Sequence, residues 1–298
     1  MTALSTTSKQ RPFADVVRDV VALTKPRITL MVLVTAAGGM GLAPESLPLG
    51  VMLVMLLTTT TVVAAANALN CWLERDSDRL MARTAKRPLP DQRLNPRVAL
   101  VLGVVLGLVS VPVLTFVVNP LTGLLGAVAL VSYVAVYTPM KRASSAALLV
   151  GAIPGALPPL MGWTAATGSL DAPGLVLFAI LFIWQVPHFL AISIYRQADY
   201  DRAGLKTLPS ERGVKVALAQ SAFYAAMLLA VSTLLYVFRV AGLLYLVSAL
   251  VLGVGFFAST IQAMRAADPV KGARKSFIAS LLYLTLLFAA LMVDVLIA

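Results

Sequence analysis

The sequence predicts an all-α, polytopic membrane protein with nine transmembrane helices. Of its 298 residues, 59% are hydrophobic and only 12% are charged, whereas a soluble domain carries roughly 25% charged residues. The apolar residues are gathered into nine segments near the length of about 20 residues that spans a bilayer. The basic residues fall between alternate segments. These three observations exclude a soluble enzyme.

The nine apolar segments follow one another with short polar connections. The first segment is short, and residues 23–27 are expected to extend it. Pro44, directly after "GLA", argues against removal of this segment as a signal peptide. We expect residues 1–22 to form a cytoplasmic tail and residues 23–298 a single transmembrane domain. The predicted segments are 28–43, 48–72, 97–117, 120–139, 143–164, 172–195, 215–238, 240–264 and 276–298.

The basic residues predict the orientation of the chain. Every Lys and Arg except Arg239 lies in the N-terminal tail or in the loops after helices two, four, six and eight. Basic loops stay in the cytoplasm, so the N-terminus is predicted inside and the C-terminus outside. The net charge of +11 is spread over separate loops at one membrane surface, which argues against a nucleic-acid partner and favours membrane lipids.

A first polar motif follows the second apolar segment. Asn70, Glu74 and Asp78 are spaced i, i+4, i+8 in "NALNCWLERDSDRLMARTAKRPLP", so on a helix they form one stripe. An amide oxygen and two carboxylates are hard ligands that suit Mg²⁺. Arg75, Arg79 and Arg83 repeat the spacing and predict a parallel cationic stripe. The alternative is a helix end stabilised only by i, i+4 ion pairs.

A second polar motif ends the sixth apolar segment. Tyr195 and Asp199 are spaced i, i+4, and bases follow them in "WQVPHFLAISIYRQADYDRAGLKTLP". Both motifs lie at helix ends on the predicted cytoplasmic side. Two facing oxygen clusters with a basic rim suit a diphosphate bridged by Mg²⁺. A diphosphate on a lipid tail explains why such a site is built in a membrane protein.

At these motifs the chain resembles the UbiA superfamily of intramembrane prenyltransferases, in particular its haem-modifying branch. The likeness runs from about Leu23 to the C-terminus. Glu74 stands where the superfamily's first motif commonly has Asp, and Tyr195 stands where its second motif has another carboxylate. The matching stretches are "LTKPRITLMVLVTAAGG", "NALNCWLERDSDRLMARTAKRPLP", "YTPMKR", "GAIPGALPPLMGW", "WQVPHFLAISI" and "DYDRAGLKTLP".

The resemblance implies a helical bundle whose active site opens near the cytoplasmic face of a bacterial inner membrane. It implies a Mg²⁺-dependent transfer of the farnesyl group of farnesyl diphosphate to a vinyl group of haem B, and a downstream haem-modifying enzyme as a partner. The implied catalytic residues are Asn70, Glu74, Asp78, Tyr195 and Asp199, and all of these except Tyr195 are the implied metal ligands. The candidate diphosphate contacts are Arg75, Lys86, Arg87, Lys141, Arg142, Arg202 and Lys206.

His188 is the only histidine of the chain. At 100° per residue, Trp184, His188, Tyr195 and Asp199 share one helix face, and His188 lies roughly 16 Å below Asp199 along the axis. Trp184 and His188 are therefore candidate haem contacts, iron ligation included. A hydrogen-bonded structural role for His188 stays open.

The fifth apolar segment contains three prolines, Pro154, Pro158 and Pro159. We expect an irregular helix there, either a wall of the substrate cavity or a packing helix with small residues.

Two other functions stay open. One is a related enzyme that prenylates an aromatic acid or quinone precursor. The other is a secondary transporter, although transporters place ionisable groups near the midplane and the acids here lie at helix ends.

Overall fold

The computed structural model describes residues 12–297, so Lys9 and Arg11 of the predicted tail and the terminal Ala298 lie outside it. The described chain is a bundle of long antiparallel helices joined by short loops. Its helices are α1 Phe13–Leu23, α2 Pro26–Gly41, α3 Leu49–Asp78, α4 Pro96–Val113, α5 Pro120–Val131, α6 Thr138–Met140, α7 Ala147–Thr167, α8 Ala172–Tyr195, α9 Gln197–Arg202, α10 Leu208–Arg212, α11 Val214–Ser232, α12 Leu234–Val237, α13 Leu243–Arg265 and α14 Pro269–Ile297.

The prediction of nine spans agrees with these helices. Eight are long and apolar enough to cross a membrane, and the bent pair α1–α2 makes nine where that pair counts as one span. The chain is therefore a multi-pass membrane protein. Two of the spans are completed by π-helical turns, Leu114–Val118 after α4 and Ser132–Tyr137 between α5 and α6.

The beginning of the chain differs from the expectation. Only residues 26 and 27 of the predicted extension 23–27 belong to α2, because the helix axis bends by 48° between α1, which ends at Leu23, and α2, which begins at Pro26. Lys25 at the bend has φ 50°, a left-handed conformation that non-glycine residues seldom adopt. The structure thus places a separate helix, α1, inside the predicted tail.

The centre of the bundle is formed by α7 and α8, which pack on each other and are flanked by α2, α11 and α14. Contrary to the expectation of an irregular segment, α7 is one continuous α-helix that contains all three prolines. Glycines let α2 and α7 approach to backbone contact. A Cβ on Gly39 would lie 1.9 Å from the Pro159 oxygen, and one on Gly162 would lie 2.0 Å from the Ala36 oxygen. The small residues of α7 therefore serve close packing against α2, and the interpretation of α7 as a wall of the substrate cavity stays a prediction.

Contacts between loops collect the basic segments at one end of the bundle. The Lys206 N–H donates to the Lys141 carbonyl at 2.8 Å, which joins the loop after α9 to the loop after α6. The Arg274 guanidinium at the start of α14 lies 5.8 Å from the centre of the Tyr195 ring. The same end also contains the last turn of α3. Both polar motifs therefore lie at this end.

At the opposite end, Asp294 has a structural role. Its buried carboxylate accepts hydrogen bonds from the backbone N–H groups of Gly242 and Tyr245, the latter at 3.2 Å. These groups belong to the first turn of α13, where helical N–H groups lack partners within the helix. Asp294 on α14 thus caps α13, and its position in an apolar helix needs no transport function.

Candidate active site

Asn70, Glu74 and Asp78 lie on the last three turns of α3, as predicted. The Asn70 amide is buried and donates to Glu74 Oε2 at 2.8 Å and to Thr138 Oγ1 at 3.2 Å. The Glu74 side chain is 13% exposed and the Asp78 side chain 2% exposed. The first motif is thus a nearly buried row of oxygen atoms along one helix face.

Each side chain of this row has a basic partner from elsewhere in the chain. Lys25 Nζ donates to Asn70 Oδ1 at 2.9 Å, and Lys141 Nζ donates to Glu74 Oε1 at 2.8 Å. Arg87 donates to Asp78 Oδ2, also at 2.8 Å. Desolvation lowers the pKa of Lys141, but the neighbouring Tyr137 and Glu74 raise it by more, so the pKa lies above its ordinary value. Lys141 therefore stays protonated at neutral pH.

The π-helical turn before α6 positions Thr138 and Lys141. Thr138 Oγ1 donates to the Tyr133 carbonyl at 2.8 Å across five residues, and Pro139 follows without a backbone donor. This local widening presents Thr138 to Asn70 and places Lys141 next to Glu74. Lys141 Nζ also lies 4.3 Å from the centre of the Tyr137 ring. π-helical turns of this kind often occur at functional sites.

Two residues of this site, Lys25 and Thr138, are not among those that the sequence motifs predict. In the sequence, Lys25 contributes only to the charge pattern that predicts the orientation of the chain. For Lys25, the signal was a base directly before Pro26 at the start of a span, within the stretch "LTKPR". Its left-handed backbone directs the side chain towards α3, and such local strain is typical of functional positions.

The predicted cationic stripe of Arg75, Arg79 and Arg83 is wrong. Helix α3 ends at Asp78, so Arg83 lies in the following turns and shares no helix face with Arg75. Arg75 itself folds back along α3, where it donates to the Trp72 carbonyl at 2.8 Å and pairs with Asp76. Arg79 donates to the Pro90 carbonyl at 3.2 Å.

The second motif is not one helical face, contrary to the expectation. Helix α8 ends at Tyr195 and α9 begins at Gln197, because Arg196 between them leaves the helical conformation with ψ 13°. The phase and the depth of roughly 16 Å computed for His188 relative to Asp199 therefore do not apply. Over the seven residues from His188 to Tyr195 the rise is about 10 Å.

Asp199 is held by bases of its own segment. Its carboxylate accepts a hydrogen bond from Arg202 and lies 3.6 Å from Arg196. Within residues 12–297, no hydrogen bond or ion pair joins Asp199 to the first motif, and no three acidic, His or Cys side chains converge in a group able to hold a metal ion. The structure therefore brings Asn70, Glu74 and Asp78 together but leaves Asp199 apart from them.

The loop that follows α9 nevertheless joins the first motif, because its Lys206 N–H donates to the carbonyl of Lys141, the partner of Glu74. Burial raises the pKa of the Tyr200 phenol, while the nearby charges of Arg83 and Lys141 act in the opposite direction. Three predicted diphosphate contacts, Lys86, Arg142 and Lys206, have exposed side chains that form no ion pair within the described part of the chain. They rim the site and are free to meet an anion.

His188 and Trp184 pack against α14. His188 is buried and stacks on Trp184, with ring centres 4.6 Å apart. Its Nδ1 lies 2.8 Å from Ser280 Oγ, and Trp184 donates to the Ser280 carbonyl at 2.8 Å. Because Ser280 Oγ donates to the Phe277 carbonyl, it accepts from His188, which favours the Nδ1–H tautomer. The Nε2 lone pair has no hydrogen-bond partner among residues 12–297.

Comparison with known proteins shows which family has this architecture. The model of the UbiA prenyltransferase family matches residues 32–282. The chain belongs to the UbiA prenyltransferase family. It is 50% identical over 292 residues to the "Protoheme IX farnesyltransferase" of Anaeromyxobacter sp. (strain Fw109-5), covering 98% of each chain. Family membership removes the support for a secondary transporter.

Two solved structures share the fold. One is that of digeranylgeranylglyceryl phosphate synthase in membranes, with a TM-score of 0.81, 15% identity, and coverage of 95% of this chain and 99% of the other. The other is a UbiA homolog from Archaeoglobus fulgidus bound to GPP and Mg²⁺, with a TM-score of 0.66 and 18% identity over 92% of this chain and 99% of that one. The predicted UbiA-type helical bundle is confirmed.

Proposed function

We propose that this chain transfers the farnesyl group of farnesyl diphosphate to a vinyl group of haem B, giving haem O and diphosphate. The observation that carries the proposal is the near-buried row of Asn70, Glu74 and Asp78 surrounded by cations, in a chain 50% identical over nearly its full length to a protoheme IX farnesyltransferase. In the reaction, the C1–O bond to diphosphate breaks and the vinyl group attacks the allylic carbon. Water then adds to the resulting cation and loses a proton.

The residues of this chain would stabilise the leaving diphosphate. Lys141 and Arg87, now paired with Glu74 and Asp78, lie where they can donate to phosphate oxygens, and Lys25 adds a third base. Exposed Lys86, Arg142 and Lys206 would neutralise the outer oxygens, and Arg202 would leave Asp199 for the same purpose. Preorganised donors of this kind favour the transition state because their charges already face the developing anion.

A divalent metal fits the donor chemistry of the first motif. Asn70, Glu74 and Asp78 offer only hard oxygen ligands, which suit Mg²⁺, and Asp199 would complete the set by a movement of α9. Bound Mg²⁺ would neutralise charge on the diphosphate. The Archaeoglobus fulgidus homolog of the same fold is bound to GPP and Mg²⁺, which supports Mg²⁺ here.

The product test is direct. Purified protein is incubated with haem B, farnesyl diphosphate and Mg²⁺, and the haem is analysed by mass. We expect the haem to gain one farnesyl group and one hydroxyl group. Unmodified haem together with prenylation of an added aromatic acid would instead place the chain in another branch of the family.

We propose that the haem lies against Trp184 and His188, with the free Nε2 of His188 facing it. His188→Ala is then expected to weaken haem B binding by about a hundredfold, the upper end of the loss seen even for groups that only support a ligand, and to change the haem absorption spectrum. Affinity for Mg²⁺-pyrophosphate is expected to stay unchanged, since His188 lies about two helical turns from Tyr195.

Ser280→Ala is the matched control for His188. This variant removes the hydrogen bond to Nδ1 but leaves Nε2 in place, so haem binding should persist with a smaller loss. If His188→Ala lowers only thermal stability and leaves haem affinity and spectrum intact, His188 has the structural role.

We propose a location in the bacterial inner membrane with the basic end in the cytoplasm, since basic loops are retained there. A reporter inserted near Gln92 is expected to be cytoplasmic, and one fused after Ala298 extracytoplasmic. A reporter near Arg239 serves as the control for the outer side. A cytoplasmic C-terminus would mean an even number of spans and would contradict this orientation.

The predicted boundary between tail and domain, residues 22/23, stays a prediction and falls at the end of α1.

A further inference from the structure

Helix α1 is amphipathic and sits at the end of the bundle that holds the active site. Phe13, Val17 and Val21 form an exposed apolar ridge at i, i+4, i+8 spacing. Its other side contributes Val16, Val20 and Leu23 to a small core with Leu89 and Leu94. These two leucines belong to the loop after α3, the same loop that supplies Lys86 and Arg87. Helix α1 and this loop therefore form one packed unit.

A buried ion pair joins the two parts of this unit. Asp19 lies on the inner side of α1 with a side-chain exposure of 3%, and it accepts a hydrogen bond from Arg93, 74 residues later in the chain. A buried carboxylate is costly unless it is paired. Pairing with Arg93 therefore offsets the cost of burying Asp19. The pair Asp15–Arg18 on the same helix differs, because its side chains are 36% and 71% exposed.

Arg93 also organises the loop around itself. Its guanidinium donates to the Lys86 carbonyl at 2.8 Å and to Asp91 at 2.9 Å, and its backbone N–H donates to the Pro88 carbonyl at 2.8 Å. Gln92, directly before it, has a φ of 55°. This left-handed turn directs the Arg93 side chain back over residues 86–91. Arg93 thus fixes the backbone on both sides of Arg87.

Arg87 completes the connection to the first motif. It follows Lys86, whose carbonyl Arg93 holds, and its own guanidinium donates to Asp78 at 2.8 Å. The other end of α1 is seated on the same face of α3. Asn67 donates to the Thr24 carbonyl at 3.2 Å, and Lys25 reaches Asn70. Helix α1 is therefore linked to a basic side chain at each end of the first motif, to Lys25 at Asn70 and to Arg87 at Asp78.

We propose that Asp19 and Arg93 are positioning residues for the diphosphate: they hold Arg87 and Lys86 at the first motif without touching substrate themselves. This inference rests on the proposed function, because it concerns the same diphosphate site. If the ion pair only stabilised the fold, its loss would affect haem binding and diphosphate binding alike. If it positions the loop, its loss affects the diphosphate alone.

The test uses full-length protein in detergent with Mg²⁺-pyrophosphate as the probe, titrated by calorimetry. Asp19→Asn and Arg93→Gln are expected to lower its affinity by about tenfold to a hundredfold, as is typical when a group that orients a ligand-binding residue is lost. Haem B affinity should stay unchanged, and KM for farnesyl diphosphate should rise by more than kcat falls. The double variant should bind pyrophosphate with the same affinity as the single variant of lower affinity, since the two residues act together.

Asp15→Asn is the matched control on the same helix and is expected to bind pyrophosphate as the wild type does. Limited trypsin digestion gives a second measurement, because release of the loop should speed cleavage after Arg83 and Lys86 in Asp19→Asn. Asp19→Glu keeps the charge, and it is expected to restore most of the affinity and the protection from cleavage.

Wild-type pyrophosphate affinity in Asp19→Asn and Arg93→Gln would overturn the inference alone. Parallel loss of haem and pyrophosphate binding, or weak pyrophosphate binding without faster cleavage, would overturn it as well. Absence of Mg²⁺-pyrophosphate binding by the wild-type protein would instead sink the proposed diphosphate site, and the inference with it.

Discussion

Asp78→Asn is expected to abolish prenyl transfer while the protein stays folded. Asp78 is the last residue of α3, its side chain is almost fully buried, and it holds Arg87 at 2.8 Å. Asparagine keeps the shape and still accepts a hydrogen bond from Arg87. The Asp78 carbonyl also still accepts from Thr84. The charge that would hold a metal ion and orient Arg87 is lost.

The expected loss is about a thousandfold in turnover, since electrostatic stabilisation by a metal site contributes several kcal/mol and each 1.36 kcal/mol is about tenfold. Product is measured by haem mass, and folding by thermal stability and haem B binding. Asp76→Asn is the control two residues earlier on the same helix. Its side chain is 64% exposed and faces Arg75 and Arg79, so its turnover should stay near wild type. Near-normal turnover in a folded Asp78→Asn protein would rule out the proposed site.

The parts of the fold that depend on apolar length were predictable from the sequence. Spans α3 to α14 are confirmed within a few residues at most ends, because a spanning segment must satisfy its backbone hydrogen bonds internally and so forms a helix. For the same reason three prolines did not break α7. The glycines of α2 and α7 allow backbone contact, and this tight packing outweighs the loss of backbone donors. Local propensity alone could not show that balance.

The helix breaks next to the site were not predictable from spacing. A periodic pattern continued through Arg196 and through Asp78, so Tyr195 with Asp199 and Arg75 with Arg83 were assigned to single helix faces. The chain leaves the helix at both points because the segments beyond them are polar and are held by loop contacts, such as Lys206 N–H to the Lys141 carbonyl. These contacts join residues far apart in sequence, and periodicity carries no information about them.

The first motif was predictable, but its partners were not. Asn70, Glu74 and Asp78 follow from i, i+4 spacing on one uninterrupted helix. That Lys141 pairs with Glu74 depends on the π-helical turn before α6, and that Lys25 reaches Asn70 depends on its left-handed backbone. The π-helical turn has no pattern in the sequence, and a base directly before Pro26 marks the start of a span without indicating where the Lys25 side chain points. The sequence therefore predicted the anionic half of the site and only part of the cationic half.

Removal of divalent metal ions is expected to abolish product formation, and Mg²⁺ should restore it. The structure adds a prediction about how the ion binds. Lys141 and Arg87 pair with the two carboxylates of the first motif, and Lys25 donates to Asn70. Both carboxylates are therefore already neutralised, and bare Mg²⁺ would have to displace ion pairs to enter the group. A diphosphate offers these bases new partners and frees the oxygens for the metal.

Mg²⁺ and pyrophosphate should therefore strengthen each other's binding, by about tenfold to a hundredfold, and by the same factor in each direction because such coupling is reciprocal. Calorimetric titration of each ligand with and without the other measures this factor. Lys141→Met tests its origin: with Glu74 released, bare Mg²⁺ should bind more tightly, whereas pyrophosphate should bind more weakly. Arg142→Met, next to it but exposed and outside any ion pair in residues 12–297, should leave Mg²⁺ affinity unchanged. If Lys141→Met shifts both affinities in the same direction, the cations do not exchange between carboxylate and diphosphate, and the ion pairs of the first motif are structural.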